Sequence, residues 1–522
     1  MDQSEIKYLL SVAALLTLSF PPFRFGFLAP LAIAIFLFLL QSKTQRESFR
    51  LGYWFGLFWG AMTLFWISES TVSGALLTIL INSVQYAIIW WLYANFREKN
   101  EGFALISLPF LWVGFEYLRQ FTDIRFNWLA LAHSQTYYLH FIQFIEWTGY
   151  LGLSFLVMFV AISFYVLIHY KSAWRWIPLL TALLILILLN ILGQLRIHHF
   201  HINRYYMLRA GLVQPNVNPY LKWDPKFENE AFDMLMNASI QLANKDPNLM
   251  VWPETATPFY LRANPLKLNE IYHFLDSTHI FLLTGTPDYQ YVNHEEDYHT
   301  YNAAFFLRPG KKDFEYYYKI ALVPGSETIP FKTYLPFLRH LDVGGGDFFP
   351  GHEYKVFKFS INAGIGYWSS DNYEMSKPPK THMEKIGLSA VICYESAFPE
   401  IVRNFVREGA NILTIITNDG WFGSTSGPYQ HAQLAVLRAI ENRVSILRCA
   451  NTGISSVIDP TGRIIKKADL NNQKNLFALV PINNRKSFFT SKGDLLGKFM
   501  LLMSFGLVLF KLIRWHVLKD QS

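Results

Sequence analysis

Apolar positions crowd into two stretches of this chain, residues 1–195 and 498–522, and thin out between them. Within these stretches nearly unbroken apolar runs cover 51–68, 72–93, 103–117, 150–170, 176–195 and 498–515. Each approaches the ~20 residues needed to cross a hydrocarbon core of roughly 30 Å, the shorter ones with local thinning. Two further runs, 8–20 and 25–40, are separated by Pro21 and Pro22 and read as two spans or as a re-entrant hairpin. Either arrangement returns the chain to the side on which it began. From 203 to 485 the pattern changes to the mixture of charge, Gly, Pro and alternating apolar positions of a soluble domain. The order is therefore membrane, globular, membrane: transmembrane helices 1 to 7 in residues 1–202, a globular domain in 203–490, and an eighth helix with a short tail in 491–522.

Inside the globular part, strand-like runs fall at 207–213, 249–252, 281–285, 303–307, 315–319, 387–393, 412–417, 444–448 and 454–458. Helical periodicity marks 227–243, 399–407 and 429–442, the last presenting Leu434, Leu437 and Ile440 along one side. Short apolar strands alternating with helices predict a sheet covered by helices, an α/β class. Gly, Ser, Asp and Pro mark 369–380 as a long exposed loop and 344–346 as a turn.

Composition sharpens this picture: 52% of the residues are hydrophobic, so the apolar runs are not an accident of a polar chain. The net charge of +7 is no nucleic-acid footprint, because no basic cluster lies in the globular part. The basic residues instead sort by side. Lys7, then Lys43, Arg46 and Arg50, then Arg97 and Lys99, then Lys171 and Arg175, and finally Lys511, Arg514 and Lys519 share one face of the membrane in this arrangement, against Arg24, Arg119 and Arg125 on the other. The positive-inside rule makes the first set cytoplasmic, which leaves both termini inside and the globular domain outside. The run 8–20 lacks a small-residue cleavage site and is followed directly by further spans, so it is not read as a cleaved signal. Glu116 and Arg119 stand three residues apart at the end of a span, as an interfacial salt bridge or as the lining of a lipid headgroup site.

Candidate chemistry lies where polar residues follow apolar strands, since a sheet presents side chains at its edge. Glu254 follows 249–253, Lys319 ends 315–318, and Cys393 closes 388–392. Singly each has a bland reading: a charged strand end is usually solvated, and a cysteine there is usually a small core residue. Together they form a chemically complete set. A carboxylate can accept the thiol proton, and an ammonium can steady both a thiolate and an oxyanion. Glu327 and Glu395 add carboxylates nearby. Cys449 lies inside an apolar strand and reads as core; two cysteines are too few for a disulfide framework. His431, beside Gln430, is a general-base candidate but reads more simply as a polar residue on a helix flanking the site. No GxSxG elbow, phosphate-binding loop or zinc spacing is present, and no metal or organic cofactor is called for.

The segments VWPETATP, YYKIALVPGSETIPF, LSAVICYESAFPE and NDGWFGSTSGPYQHAQLAVLRAIENR resemble the nitrilase (carbon-nitrogen hydrolase) superfamily, and more closely its membrane branch, the apolipoprotein N-acyltransferases. FEYLRQF with FNWLALAHSQ, and LGYWFGLFWGAMTLFWIS, extend the likeness into the membrane part. The resemblance implies an α-β-β-α sandwich on eight transmembrane helices. It maps the family's acid, lysine and cysteine onto Glu254, Lys319 and Cys393, with Glu327 supporting the lysine and the base and Glu395 a second required carboxylate. Trp223 in LKWDP and Tyr394 correspond to family positions near the acyl and headgroup site, and Trp421, Glu116 and Arg119 are taken as further substrate contacts. It also implies a phospholipid acyl donor, a diacylglyceryl-cysteine apolipoprotein acceptor and a bacterial inner membrane with the catalytic domain on the periplasmic side. A membrane-anchored amidase is the enzymatic rival, and a transporter or lipid-binding scaffold the rival from another class.

Overall fold

The computed structural model describes residues 1–292, 298–332, 334, 347–369, 371–376 and 381–519; the turn expected at 344–346 lies outside them. The chain forms two compact units, Met1–Gln194 with Lys492–Ser522, and Leu195–Ser491.

The first unit is helical: α1 (Gln3–Ser19), α2 (Leu28–Leu40), α3 (Gln45–Leu64), α4 (Val72–Arg97), α5 (Glu101–Leu118), the single turn α6 (Ile145–Thr148), α7 (Tyr150–His169) and α8 (Trp176–Ile202), which runs on into the second unit. Asp2 and Thr44 open α1 and α3 through capping boxes with Glu5 and Glu47, so both starts are set by local hydrogen bonds. The helix α3 stops at Leu64, short of the expected 68, and a 3₁₀ turn, Phe65–Glu69, takes over. Gly52 and Gly56 let α3 close on α4: a Cβ on Gly56 would stand 2.8 Å from the Ser83 Cα. Tyr86 packs between Trp59 and Trp112, with ring centroids 5.2 and 5.3 Å away. Among the described residues, five helices are long and apolar enough to cross a membrane. On α8, Leu180, Leu184, Ile187 and Leu192 are exposed, a surface suited to hydrocarbon and not to water.

The second unit runs β1 (Tyr205–Gln214), α9 (Glu228–Ala243), β2 (Leu249–Val251), α10 (Pro265–Thr278), β3 (Phe281–Tyr291), β4 (Tyr298–Leu307), β5 (Phe314–Tyr318), β6 (Phe357–Ser369), β7 (Asn372–Met375), β8 (Thr381–Ile392), α11 (Pro399–Arg407), β9 (Ile412–Thr417), α12 (Gly427–Asn442), β10 (Ser445–Ala450), β11 (Ser455–Ile458), β12 (Ile464–Ala468) and β13 (Lys474–Pro481). The short α13 (Phe488–Lys492) then leads to α14 (Leu495–Lys519).

The strands form one hydrogen-bonded path, β12-β11-β10-β9-β8-β6-β1-β2-β3-β4-β5, with β7 on β6 and β13 on β1. Among the described residues, its two halves join edge to edge where Tyr205, Tyr206 and Met207 of β1 pair with Gly366, Ile365 and Gly364 of β6. From Ala210 onward the same edge of β1 belongs to β2. Beyond that joint the halves stack face to face: Cys449 on β10 points its thiol at the carbonyls of Val213 and Val251, 3.3 and 3.4 Å away. The outer face of the β1-β2-β3 half buries Phe232, Leu235, Ile271 and Leu275 of α9 and α10. With α11 and α12 serving the other half, the unit is an α-β-β-α sandwich.

The segment expected as a loop at 369–380 carries β7 instead. Tyr373 is buried there, edge-on to Trp368 at 5.0 Å and 3.4 Å from Asp459 through its hydroxyl, so an aromatic anchor overrides the turn-forming composition. The expected strands at 315–319 and 387–393 each end one residue early, which leaves Lys319 and Cys393 just beyond the strand ends.

Candidate active site

Three parallel strands, β2, β8 and β9, direct their C-terminal ends to one place, and residues just beyond those ends supply the polar groups. After β2 the chain turns through Trp252 and Pro253. Trp252 is buried with its indole N–H on Ser239 Oγ at 2.8 Å, which anchors the turn, and Thr255 takes the left-handed φ of 44°. Glu254 between them is 6% exposed. Its Oε1 accepts from Asn302 Nδ2 at 2.8 Å and from Lys319 Nζ at 3.4 Å, and its Oε2 accepts from the Asn418 backbone N–H at 3.0 Å.

Lys319 follows β5 directly. Its N–H donates to Asn302 O at 3.0 Å, and its Nζ stands 2.8 Å from Glu327 Oε1. Asn302 donates to both carboxylates, at 2.8 Å to Glu254 and 2.9 Å to Glu327, so one amide spaces the pair that holds the ammonium. Glu327 is fixed in turn by the Val323 N–H on Oε2 at 2.8 Å. Burial works against the Lys319 charge, but the Glu327 and Glu254 carboxylates outweigh it and hold this lysine above its ordinary range.

Cys393 begins the 3₁₀ turn Cys393–Ala397 with φ 50°, a left-handed conformation that costs a side-chain-bearing residue about 1–2 kcal/mol. The elbow lifts the thiol out of the β8 ladder toward Lys319 and Glu254, both of which act on it electrostatically. Burial pushes the thiol up, Glu254 and Asp419 push it further, and Lys319 with the Thr417 hydroxyl pulls it back only in part. The resting site therefore holds a thiol beside an ammonium.

Glu395 is fully buried and braces this arrangement. Its Oε1 accepts from the Tyr317 hydroxyl and the Ile320 N–H, both at 2.6 Å, and from the Ala321 N–H at 3.2 Å, while Oε2 accepts from the Ile392 N–H at 2.7 Å. One carboxylate thus ties the segment after Lys319 to the strand end before Cys393; burial raises its pKa. Tyr394 is buried with its ring edge-on to Phe398 at 5.0 Å.

Among the other expected contacts, Trp223 is half-exposed beneath the Lys222 ammonium, and Trp421 meets Tyr220 edge-on at 5.2 Å. Glu116 and Arg119 lie in the helical unit, both buried. Glu116 Oε1 accepts from Trp112 Nε1 and from the Leu131 N–H, each at 2.9 Å, and Arg119 Nε and Nη2 make no hydrogen bond among the described residues. Both side chains are thus buried, and each acts on the other electrostatically.

Several site residues went unanticipated: Asn302, Asn418, Asp419 and Lys222. Asn418 and Asp419 follow an apolar strand as Glu254 and Cys393 do, and Asn302 interrupts one, so the same signal was present. Donor atoms of Cys393, Asp419 and His431 fall within 4.8 Å of one another, the spacing of a metal site. The Arg448 guanidinium already stands 2.7 Å from Asp419 Oδ2 and 3.2 Å from His431 Nδ1. A cation there would meet a fixed positive charge, so the cluster fits a buried ion network better than a metal.

Comparison with known proteins matches both parts of the chain. Residues 12–163 match the apolipoprotein N-acyltransferase N-terminal domain, and residues 209–487 match the carbon-nitrogen hydrolase family. The apolipoprotein N-acyltransferase of Chlorobaculum tepidum is 31% identical, covering 92% of this chain and 91% of its own. That of Geobacter metallireducens is 33% identical, covering 93% and 92%. Among solved structures, an amidase from Nesterenkonia sp. aligns over 54% of this chain and 92% of its own, with 17% identity and a TM-score of 0.36. With helical and globular parts both matched and most of each relative aligned, the chain belongs to the apolipoprotein N-acyltransferase family.

Proposed function

We propose that this membrane acyltransferase moves an acyl chain from a phospholipid, through a thioester on Cys393, to the N-terminal amine of a diacylglyceryl-cysteine apolipoprotein. The observation that carries the reading is the Lys319 ammonium held 3.4 Å from Glu254 and 2.8 Å from Glu327, next to a half-buried thiol on a strained elbow. As the sulfur attacks the ester carbonyl, Glu254 takes its proton and a carbon–sulfur bond forms. Lys319 and the Tyr394 N–H steady the oxyanion. When the ester carbon–oxygen bond breaks, Glu254 returns the proton to the departing oxygen and a lysophospholipid leaves. The acceptor amine then attacks the thioester, Glu254 collects its proton, and cleavage of the carbon–sulfur bond restores the thiol.

Trp223, Trp421 and Tyr394 are assigned to the substrate contacts near this site. Glu116 and Arg119, buried polar groups in the helical unit, are assigned to a headgroup contact. Membrane tethering supports the reading, because both substrates are too apolar to reach a soluble site, and a lipid-filled entrance limits hydrolysis. The distribution of Lys and Arg between the apolar segments supports a bacterial inner-membrane protein with its catalytic domain on the periplasmic side.

The test is mass spectrometry of the purified full-length chain given phospholipid alone. An acyl adduct on the peptide containing Cys393, absent in Cys393→Ala, is the expected result. Transfer to a lipopeptide with no adduct at any time would remove the covalent step. Accumulation of free fatty acid instead of acylated peptide would favour a hydrolase.

A further inference from the structure

Behind Cys393 lies a buried polar network that no step above uses. The Cys393 carbonyl accepts from Ser396 Oγ at 2.8 Å and faces His431 Nε2 at 3.1 Å, and that nitrogen stands 2.9 Å from Ser396 Oγ. On the far side of the imidazole, Nδ1 is 2.8 Å from Asp419 Oδ1. The same oxygen accepts from Thr417 Oγ1 at 2.8 Å, and Arg448 fixes the other carboxylate oxygen at 2.7 Å. Ser396, Thr417, Asp419, His431 and Arg448 are each at most 1% exposed, so water does not compete for these bonds.

Between Thr417 and Asp419 sits Asn418, whose N–H donates to Glu254 Oε2 at 3.0 Å. One short segment after β9 therefore reaches both partners of the reaction. Its backbone holds the base, and its carboxylate, through His431, holds the carbonyl of the nucleophile. This matters because Cys393 sits at φ 50°, a conformation that relaxes unless its neighbours pin it.

We propose that Asp419 and His431 are positioning residues that clamp the Cys393 elbow, and with it the sulfur, at a fixed station opposite Glu254. The inference rests on the reading of Cys393 as nucleophile. Neither residue takes the substrate's proton: both nitrogens of His431 are engaged by Asp419 and by the elbow, and Asp419 is held ionised by Arg448. Removing the clamp slows the chemical step and leaves lipid binding alone, because a loosened elbow spends less time at attack geometry.

The experiment uses the full-length protein in detergent, with iodoacetamide as a probe that needs a reachable sulfur but no lipid. The variants are His431→Leu, His431→Gln and Ser396→Ala. The readouts are the alkylation rate at Cys393 by peptide mass spectrometry, kcat and KM for acyl transfer, and the melting temperature. His431→Leu should lower both alkylation and kcat by about tenfold or more while KM moves less than about twofold. His431→Gln, whose amide can still donate to the Cys393 carbonyl, should recover part of the loss, and Ser396→Ala should show a smaller loss of the same kind. Wild-type alkylation in His431→Leu overturns the proposal, as does a loss matched by the unfolded fraction. If His431→Leu does not fold, Ser396→Ala decides, and an unchanged rate there overturns it. Wild-type protein that neither alkylates nor acylates at Cys393 would instead reject the nucleophile itself, a separate failure.

Discussion

Lys222 is 2% exposed, with its ammonium 3.0 Å from Thr255 Oγ1 and 3.5 Å from the Glu254 carbonyl oxygen. Burial pulls it down to about 7, against the raising influence of Glu254. The unfolded chain therefore binds this proton more tightly than the folded one between about pH 7 and 10.5, and stability rises with pH through that window. Lys222→Met removes the buried charge. It should stabilise the protein by on the order of a few kcal/mol near and below pH 7, with the gain fading toward pH 10.5. Melts of both proteins at about pH 6.5, 8 and 9.5 read the difference; a constant offset at every pH would refute the assignment. The same residue shows where sequence reading stops. Glu254, Lys319 and Cys393 each follow a strand, which pattern alone reveals. Lys222 sits beside a tryptophan in a polar loop, and nothing in one dimension announces that it folds beneath the Glu254 turn.

At the scale of elements, the approach of β3 to the turn after β2 fixes where Glu254 stands. Gly285 on β3 donates to Pro253 O at 3.1 Å and accepts from the Ala256 N–H at 2.7 Å. A Cβ there would lie 2.6 Å from Pro253 O, 2.7 Å from the Glu254 Cα and 2.7 Å from the Thr255 nitrogen, all backbone atoms. Gly285→Ala must therefore displace the turn. A shift approaching 1 Å should cut single-turnover acylation by about 100-fold, with a stability loss of about 1–3 kcal/mol. Wild-type acylation in a folded Gly285→Ala protein would show that the turn tolerates the shift. Element pairing explains which parts of the sandwich were legible. The buried strands β2 and β9 and the C-terminal half of β8 are plain apolar runs. In contrast β12 buries only Ile465 and Ala468 and carries Lys466 and Lys467 outward, so it lacks the apolar length that marks a strand. The strand β6 alternates, with Phe357, Phe359, Ile361 and Ala363 buried and Lys358, Ser360 and Asn362 outward, a period-two pattern that a search for continuous apolar runs passes over.

For the whole molecule, the globular unit enters the chain at Leu195 and leaves it at Ser491, between the two segments of the helical unit. Both junctions adjoin apolar helices, α8 and α14. The globular unit therefore begins and ends on one side of the membrane, provided each of those helices crosses once. Which side is a question of charge. Lys99 lies in the short connection between α4 and α5, with Arg97 two residues before it, and under the proposed orientation that connection is cytoplasmic. The proposed orientation puts Lys311, on the exposed turn between β4 and β5, on the periplasmic side. In a Cys393→Ala background, where buried Cys449 is inert, Lys311→Cys should react with a membrane-impermeant maleimide in intact cells whose outer membrane has been opened. Lys99→Cys should react only after the inner membrane is lysed. Labelling of both before lysis would break the parity of the spans, and the reverse order would place the catalytic unit in the cytoplasm. The second outcome would leave the Glu254, Lys319 and Cys393 geometry untouched, because that geometry lies wholly within the globular unit. It would, however, separate the thiol from substrates presented at the outer face, so side and chemistry are independent claims that stand or fall on different measurements.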